Sequence, residues 1–123
     1  MSLEYVEKKL EAQLKTSPAL AAYVNGQVYP LRTPPWAELP VITYRRICGR
    51  PGADGDESTE RVTIQVNVRS DDFDEAKHVA AAVRDAMYTA PFRNRLATDS
   101  DVFDEKRNCY CIRLYYTCWQ KNR

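Results

Sequence analysis

The residues most able to do chemistry in this chain are a single histidine, four cysteines, an acidic loop and a scatter of arginines. His78 lies between Ala76 and Val79 in a stretch with helical periodicity. A general base needs a nucleophile or an orienting carboxylate within hydrogen-bond reach, and no nucleophile-elbow pattern supplies one, so His78 reads as a helix-flank residue. Cys109 and Cys111 are two apart, which puts both thiols on one side of a strand, with Cys118 and Cys48 elsewhere in the chain. Structural zinc sites use a gap of two to four residues and a second such pair; buried free thiols are the plainer reading. Asp54, Asp56 and Glu57 sit in a glycine-bearing loop without the regular ligand positions and terminal glutamate of a calcium loop. Gly49-Arg50-Pro51-Gly52 lacks the Gly-Lys-Ser/Thr ending of a phosphate loop. Arg45, Arg46 and Arg50, with Arg61 and Arg69 and the nearby Tyr29 and Tyr44, form a candidate basic patch of the kind nucleic-acid surfaces carry, though acidic loop residues are interspersed. No catalytic, cofactor or metal site is expected, and the chain is not expected to be an enzyme.

The elements that must position these residues follow from periodicity. Leu3, Val6, Leu10 and Leu14 recur at helical spacing against charged neighbours, which predicts an amphipathic first helix ending near Thr16. Ser17-Pro18 is an N-cap followed by proline in the first helical position, so a short helix is expected over 18–23, stopped by Asn25-Gly26. Val28-Tyr29-Pro30 is a short extended piece. Residues 31–40 carry Pro34, Pro35 and Pro40 and read as an ordered crossing rather than a central strand, with Trp36 expected over the end of the core. Residues 41–48 are rich in β-branched and aromatic side chains and predict a strand, whose register the adjacent Arg45 and Arg46 leave ambiguous. Residues 49–60 bury little and are expected to form a flexible hairpin loop.

Residues 61–69 alternate most cleanly. Val62, Ile64, Val66 and Val68 share one face, and Arg61, Gln65, Asn67 and Arg69 the other, so one face is expected to be core and the other wet. Asp72 and Glu75 have the spacing of a capping box before a helix whose stripe is Phe73, Ala76, Ala80, Val83 and Met87, ended by Pro91. A less regular stretch over 92–100 leads to a short strand at Val102-Phe103. A long strand over 109–119 closes the chain, with Tyr110, Ile112, Leu114, Tyr116 and Cys118 on one face.

At 123 residues, 44% apolar and 28% charged, the chain has the size and composition of one globular domain. Its formal charge of +1 gives no net pull towards nucleic acid or anionic lipid. No apolar run approaches a membrane span, and no signal-peptide pattern opens the sequence, so a cytoplasmic setting without membrane partners is expected. The element order lacks regular βαβ alternation. The expected fold is α+β: a single domain with a mostly antiparallel sheet of about four strands and two main helices packed on one face. That arrangement leaves the second sheet face open, a surface suited to a neighbouring subunit.

The segment Ser17-Pro-Ala-Leu-Ala-Ala-Tyr-Val-Asn-Gly-Gln-Val-Tyr-Pro-Leu, the proline-rich stretch, Leu39-Pro-Val-Ile-Thr-Tyr-Arg-Arg-Ile and Arg61-Val-Thr-Ile-Gln-Val-Asn-Val, in that order, resemble the tail completion proteins of long-tailed bacteriophages and prophages. Phe73-Asp-Glu-Ala and Ile112-Arg-Leu-Tyr-Tyr continue the match over almost the whole chain, while the stretch 92–107 is shorter and less regular than the family leads one to expect. The resemblance implies a structural protein that assembles in the host cytoplasm into a homo-oligomeric ring, a hexamer in the finished tail. That ring would sit at the head-proximal end of the tail tube to terminate the tail or join it to the head. Its implied partners are the major tail tube protein and head-connector proteins, with no cofactor, and with DNA present only as it passes through the ring. Arg50, Asp54, Asp56, Glu57, Arg61, Gln65, Asn67 and Arg69 are then the candidate subunit-interface residues. The alternative reading is a small α+β nucleic-acid-binding module.

Overall fold

The computed structural model describes residues 5–51 and 59–121. In chain order the elements are α1 (Val6–Lys15), α2 (Pro18–Val24), β1 (Val28–Pro30), β2 (Val41–Pro51), β3 (Thr59–Ser70), α3 (Phe73–Tyr88), β4 (Asn94–Asp104) and β5 (Cys109–Lys121). The strands form one sheet in the order β1-β2-β3-β5-β4. β2, β3, β5 and β4 pair antiparallel with their neighbours, and β1 lies parallel to β2. The fold is therefore α+β, with five strands in a mixed sheet where about four were expected.

Period-two alternation sets the layers. Val62, Ile64, Val66 and Val68 of β3 stand opposite Cys118, Tyr116, Leu114 and Ile112 of β5, and all are buried against the helices. Ile42 and Tyr44 extend this face onto β2, which resolves the ambiguous register there. The helices supply Val6, Leu10 and Leu14 from α1, Leu20 and Val24 from α2, and an alanine-rich stripe of Ala76, Val79, Ala80, Val83 and Met87 from α3. Each large aliphatic side chain in this layer contributes on the order of 2 kcal/mol relative to exposure. The small alanine side chains let α3 lie close over β3 and β5.

The caps follow local chemistry. The Ser17 hydroxyl accepts from the Leu20 amide at 3.3 Å, and Asn25 ends α2 in the left-handed region at φ 48°. Asp72 caps α3 by accepting from the Asp74 amide at 3.3 Å. Glu75 does not reach back to the Asp72 amide as a capping box would; its carboxylate takes the Ser70 hydroxyl at 2.7 Å, and that hydroxyl accepts from Asp72 N–H at 3.1 Å. The reciprocal cap is thus relayed through one extra hydroxyl.

Three expectations change. β2 runs on to Pro51 and β3 begins at Thr59, so residues 49–51 and 59–60, expected in the hairpin loop, are paired strand; Arg50 stands opposite Arg61. The rest of that loop, with Asp54, Asp56 and Glu57, lies outside the described residues. The stretch over 92–100 is not irregular: β4 starts at Asn94 and pairs with β5 down to Asp104, with a register shift between Leu96 and Thr98. As an edge strand exposed along most of its length, β4 has no apolar alternation for a sequence to display. Trp36 does not lie over the core; it is 77% exposed.

Residues 31–40 form the crossover from β1 back to the start of β2. Gln27 holds this segment, donating through Nε2 to the Glu38 carbonyl at 2.7 Å while its Oε1 accepts from Glu38 N–H at 3.0 Å. At its near end the Thr33 carbonyl accepts from Arg107 in the β4–β5 turn at 3.4 Å.

Candidate subunit interface

The sheet face away from the helices carries arginines in successive rows. Arg50, Arg61 and Trp119 stand abreast on β2, β3 and β5. Cys48, Thr63, Thr117 and Arg95 form the next row, followed by Arg45, Gln65, Tyr115 and Thr98. Thr43, Asn67, Arg113 and Ser100 come next, and then Val41, Arg69, Cys111 and Val102. Arg50 reaches this face because the register shifts between Arg46 and Cys48, leaving Ile47 unpaired and 43% exposed. Without that bulge an even-numbered residue of β2 would face the helices.

The middle of the face is not wet. Gln65 and Asn67 are 5% and 7% exposed, against the expectation of a hydrated surface, because long side chains lie across them. Arg45 Nε donates to Gln65 Oε1 at 2.9 Å, and Gln65 Nε2 donates to the Tyr115 hydroxyl at 2.9 Å. Arg69 donates from Nη1 to the Thr43 hydroxyl at 2.9 Å, and its Nε lies 3.4 Å from an Asp104 carboxylate oxygen. Asn67 Nδ2 sits 3.5 Å from the same Thr43 oxygen. These contacts satisfy the Gln65 amide, whose burial would otherwise be costly, while Asn67 Oδ1 is buried with no partner among the described residues.

Charge on this face is one-sided. Asp104 is the carboxylate paired with it among the described residues. Arg93 stacks 4.1 Å from the Trp119 ring, while Arg50 and Arg95 are exposed. Arg61 Nε is buried without an acceptor among the described residues. The lysines of the helices lie on the other side of the molecule: Lys15 pairs with Glu11, and Lys77 with Asp101. Guanidinium groups form planar two-point contacts with carboxylates and phosphates, and protein interfaces are enriched in Arg and depleted in Lys. The face thus presents guanidinium donors in excess of carboxylates among the described residues.

Of the sequence-predicted interface residues, the face brings together Arg50, Arg61, Gln65, Asn67 and Arg69; Asp54, Asp56 and Glu57 lie outside the described residues. Arg45, Arg93, Arg95, Arg113 and Trp119 belong to it and were not singled out as interface. The alternation Arg113, Tyr115, Thr117, Trp119 was visible in β5, but Arg93 and Arg95 depend on the pairing of an edge strand that has no apolar pattern.

The cysteines are divided between the layers. Cys118 lies in the helix-side core and Cys109 and Cys111 are buried on the opposite face. Burial raises the Cys109 and Cys111 thiols, and pushes Cys118 up to about 12. His78 is exposed on α3. Among the described residues no group of three or more His, Cys, Asp or Glu could hold a metal ion, and no helix is long and apolar enough to cross a membrane.

A family model described as "Tail completion protein gp17" matches residues 8–121. No curated protein matches the chain by sequence. Among solved structures, a chain of the "Virion of native gene transfer agent (GTA) particle" superposes with a TM-score of 0.72 at 23% identity, over 92% of each chain. At that identity the superposition speaks for the fold.

Proposed function

Because the chain belongs to the tail completion protein gp17 family and is a structural component of a phage-type tail, we propose that its copies close into a ring at the head-proximal end of the tail tube. There the ring ends tube growth and prepares the tail for the head. The proposed ring is a hexamer assembled in the host cytoplasm, facing the major tail tube protein on one side and head-connector proteins on the other. Its role is mechanical, requiring no catalysis and no cofactor. The observation that supports this reading is the open sheet face, where arginines that, Arg69 apart, have no carboxylate partner among the described residues surround a hydrogen-bonded centre. A ring needs two unlike surfaces that meet head to tail and close, and a molecule with helices on one side and an arginine-set sheet on the other has them.

The test is electron microscopy of tails made with the wild-type chain, without it, and with the double reversal Arg61→Glu, Arg113→Glu. Tubes of uncontrolled length without the protein mark a terminator, and finished tails that stay headless mark a joiner; the double reversal should reproduce the defect. Normal, head-bearing tails in the absence of the protein would overturn the reading. Trp119 and Tyr115 among the arginines give the same face the makings of a nucleic-acid surface. If the double reversal spares tail completion yet abolishes salt-sensitive retention of DNA, the face belongs to DNA passing through the ring.

A further inference from the structure

The two ends of α3 carry complementary surfaces. At its N-terminal end Phe73 lies between Asp72 and Asp74, its ring edge-on to Tyr110 at 5.5 Å, and Tyr110 in turn meets Phe103 at 5.2 Å. The three rings are 40%, 37% and 47% exposed and form one continuous aromatic knob. Asp71, Asp72 and Asp74 are exposed around it, and the Lys77 ammonium that lies 5.2 Å from the Phe73 ring is itself paired with Asp101, so the rim stays acidic. Aromatic side chains in mutual contact yet open to water, ringed by charge, have the composition of an interface hot spot with its polar rim.

At the C-terminal end of α3 an open groove of ≈ 450 Å³ runs between the helix and β4. Its floor is apolar, made by Met87, Phe92, Leu96 and Tyr116, and its rim carries Arg84, Arg93 and Arg95. Arg84 has Asp99 at 4.0 Å, a loose and exposed pairing; Arg95 is exposed with no carboxylate paired to it among the described residues. An aromatic knob with an acidic rim stands at one end of a helix about 24 Å long, and an apolar groove with an arginine rim at the other. They match in both polarity and charge, and within one chain they cannot meet.

We infer that the Phe73–Tyr110–Phe103 knob of one copy seats in the Arg84/Arg93/Arg95 groove of the next, making the head-to-tail contact of the assembly. The inference rests on the self-assembly reading above and names its contact. Apolar burial supplies the affinity, and the opposed carboxylates and guanidinium groups fix which end meets which. The interface is heterologous, so each copy offers one knob and one groove, and closure is set by the angle between them.

The test uses two full-length variants. Phe73→Glu removes the knob while placing an acid in the first helical turn, where the helix dipole favours it. Arg95→Glu reverses the groove rim at an exposed position. By sedimentation the wild type should form species larger than a dimer, and each variant alone should be monomeric. An equal mixture should give a dimer and nothing larger, because the intact knob of one fits the intact groove of the other. No dimer in the mixture, either variant assembling like wild type, or a wild type that stays monomeric at the highest attainable concentration would overturn the contact. Whether tails lacking the protein fail to finish does not depend on which surfaces meet, so that outcome judges the tail-completion reading separately.

Discussion

Burying Gln65 in the middle of a sheet is tolerable because its amide is held at both ends, whereas Asn67 beside it keeps a buried Oδ1 without a partner among the described residues. The Arg45–Gln65–Tyr115 chain spans three strands, which turns a polar face into a stiff one. On the helix side the rule is the opposite: titratable groups are kept neutral. Burial pushes the Tyr116 phenol and the Cys118 thiol up to about 12, and raises Tyr44 through burial and then its hydrogen bond to Glu11. These groups ionise more readily in the unfolded chain than in the folded one. The stability they support is complete below the ordinary thiol and phenol range and is lost as pH rises through the folded values. Denaturant midpoints followed from neutral pH upwards should hold steady and then fall once pH passes the ordinary thiol value of 9.0. The conservative variant Cys118→Ala should flatten the first part of that fall, and a midpoint indifferent to alkali would refute the account.

At the scale of elements, α3 and β3 set the architecture. Ala76 and Ala80 are 0% and 1% exposed, so the helix backbone approaches the sheet with no room for a larger side chain. Ala80→Leu should cost about 1–3 kcal/mol by overpacking, read as a lower urea midpoint with an unchanged slope, while the same change at exposed His78 should be nearly neutral. Elements that bury one face announced themselves in the sequence: the β3 alternation, the α3 stripe, the Ser17-Pro18 start of α2 and the long β5. Elements whose identity depends on a partner did not. β4 is mostly polar, with Leu96, Val102 and Phe103 too scattered to make a pattern, and it exists because β5 offers it a ladder. The bulge at Ile47, which carries Arg50 to the open face, left no mark beyond two adjacent arginines. The parallel pairing of β1 with β2 was equally hidden, since three residues give no pattern and their partner is set by how the proline-rich crossover returns. The open face was accordingly legible on β3, and Arg50 of β2 was named without the bulge that turns it outward, but the face was illegible where it drew on β4.

For the whole molecule, a formal charge of +1 conceals an uneven distribution, although the helix lysines share their side with carboxylates. Arginines occupy the sheet face, whereas the acidic residues Asp71, Asp72 and Asp74 are exposed at the opposite side, at the start of α3. A dipolar body of this kind associates through unlike ends and resists stacking through like ones, which is the property a ring of fixed size requires. Charge reversal at Arg95, which belongs to both the sheet face and the groove rim, and loss of the aromatic knob should therefore fail alike, each leaving copies apart.

The facing of Arg50 and Arg61 across β2 and β3 has a thermodynamic consequence. Like charges set opposite one another on a sheet repel, so a lone copy carries a tension that counterions relieve. Raising ionic strength should lift the melting temperature of the free protein, and a short polyanion should lift it further at far lower concentration. The assembled form should gain less from the same salt, because the ions that relieve the single copy also screen the opposed charges that orient its contacts.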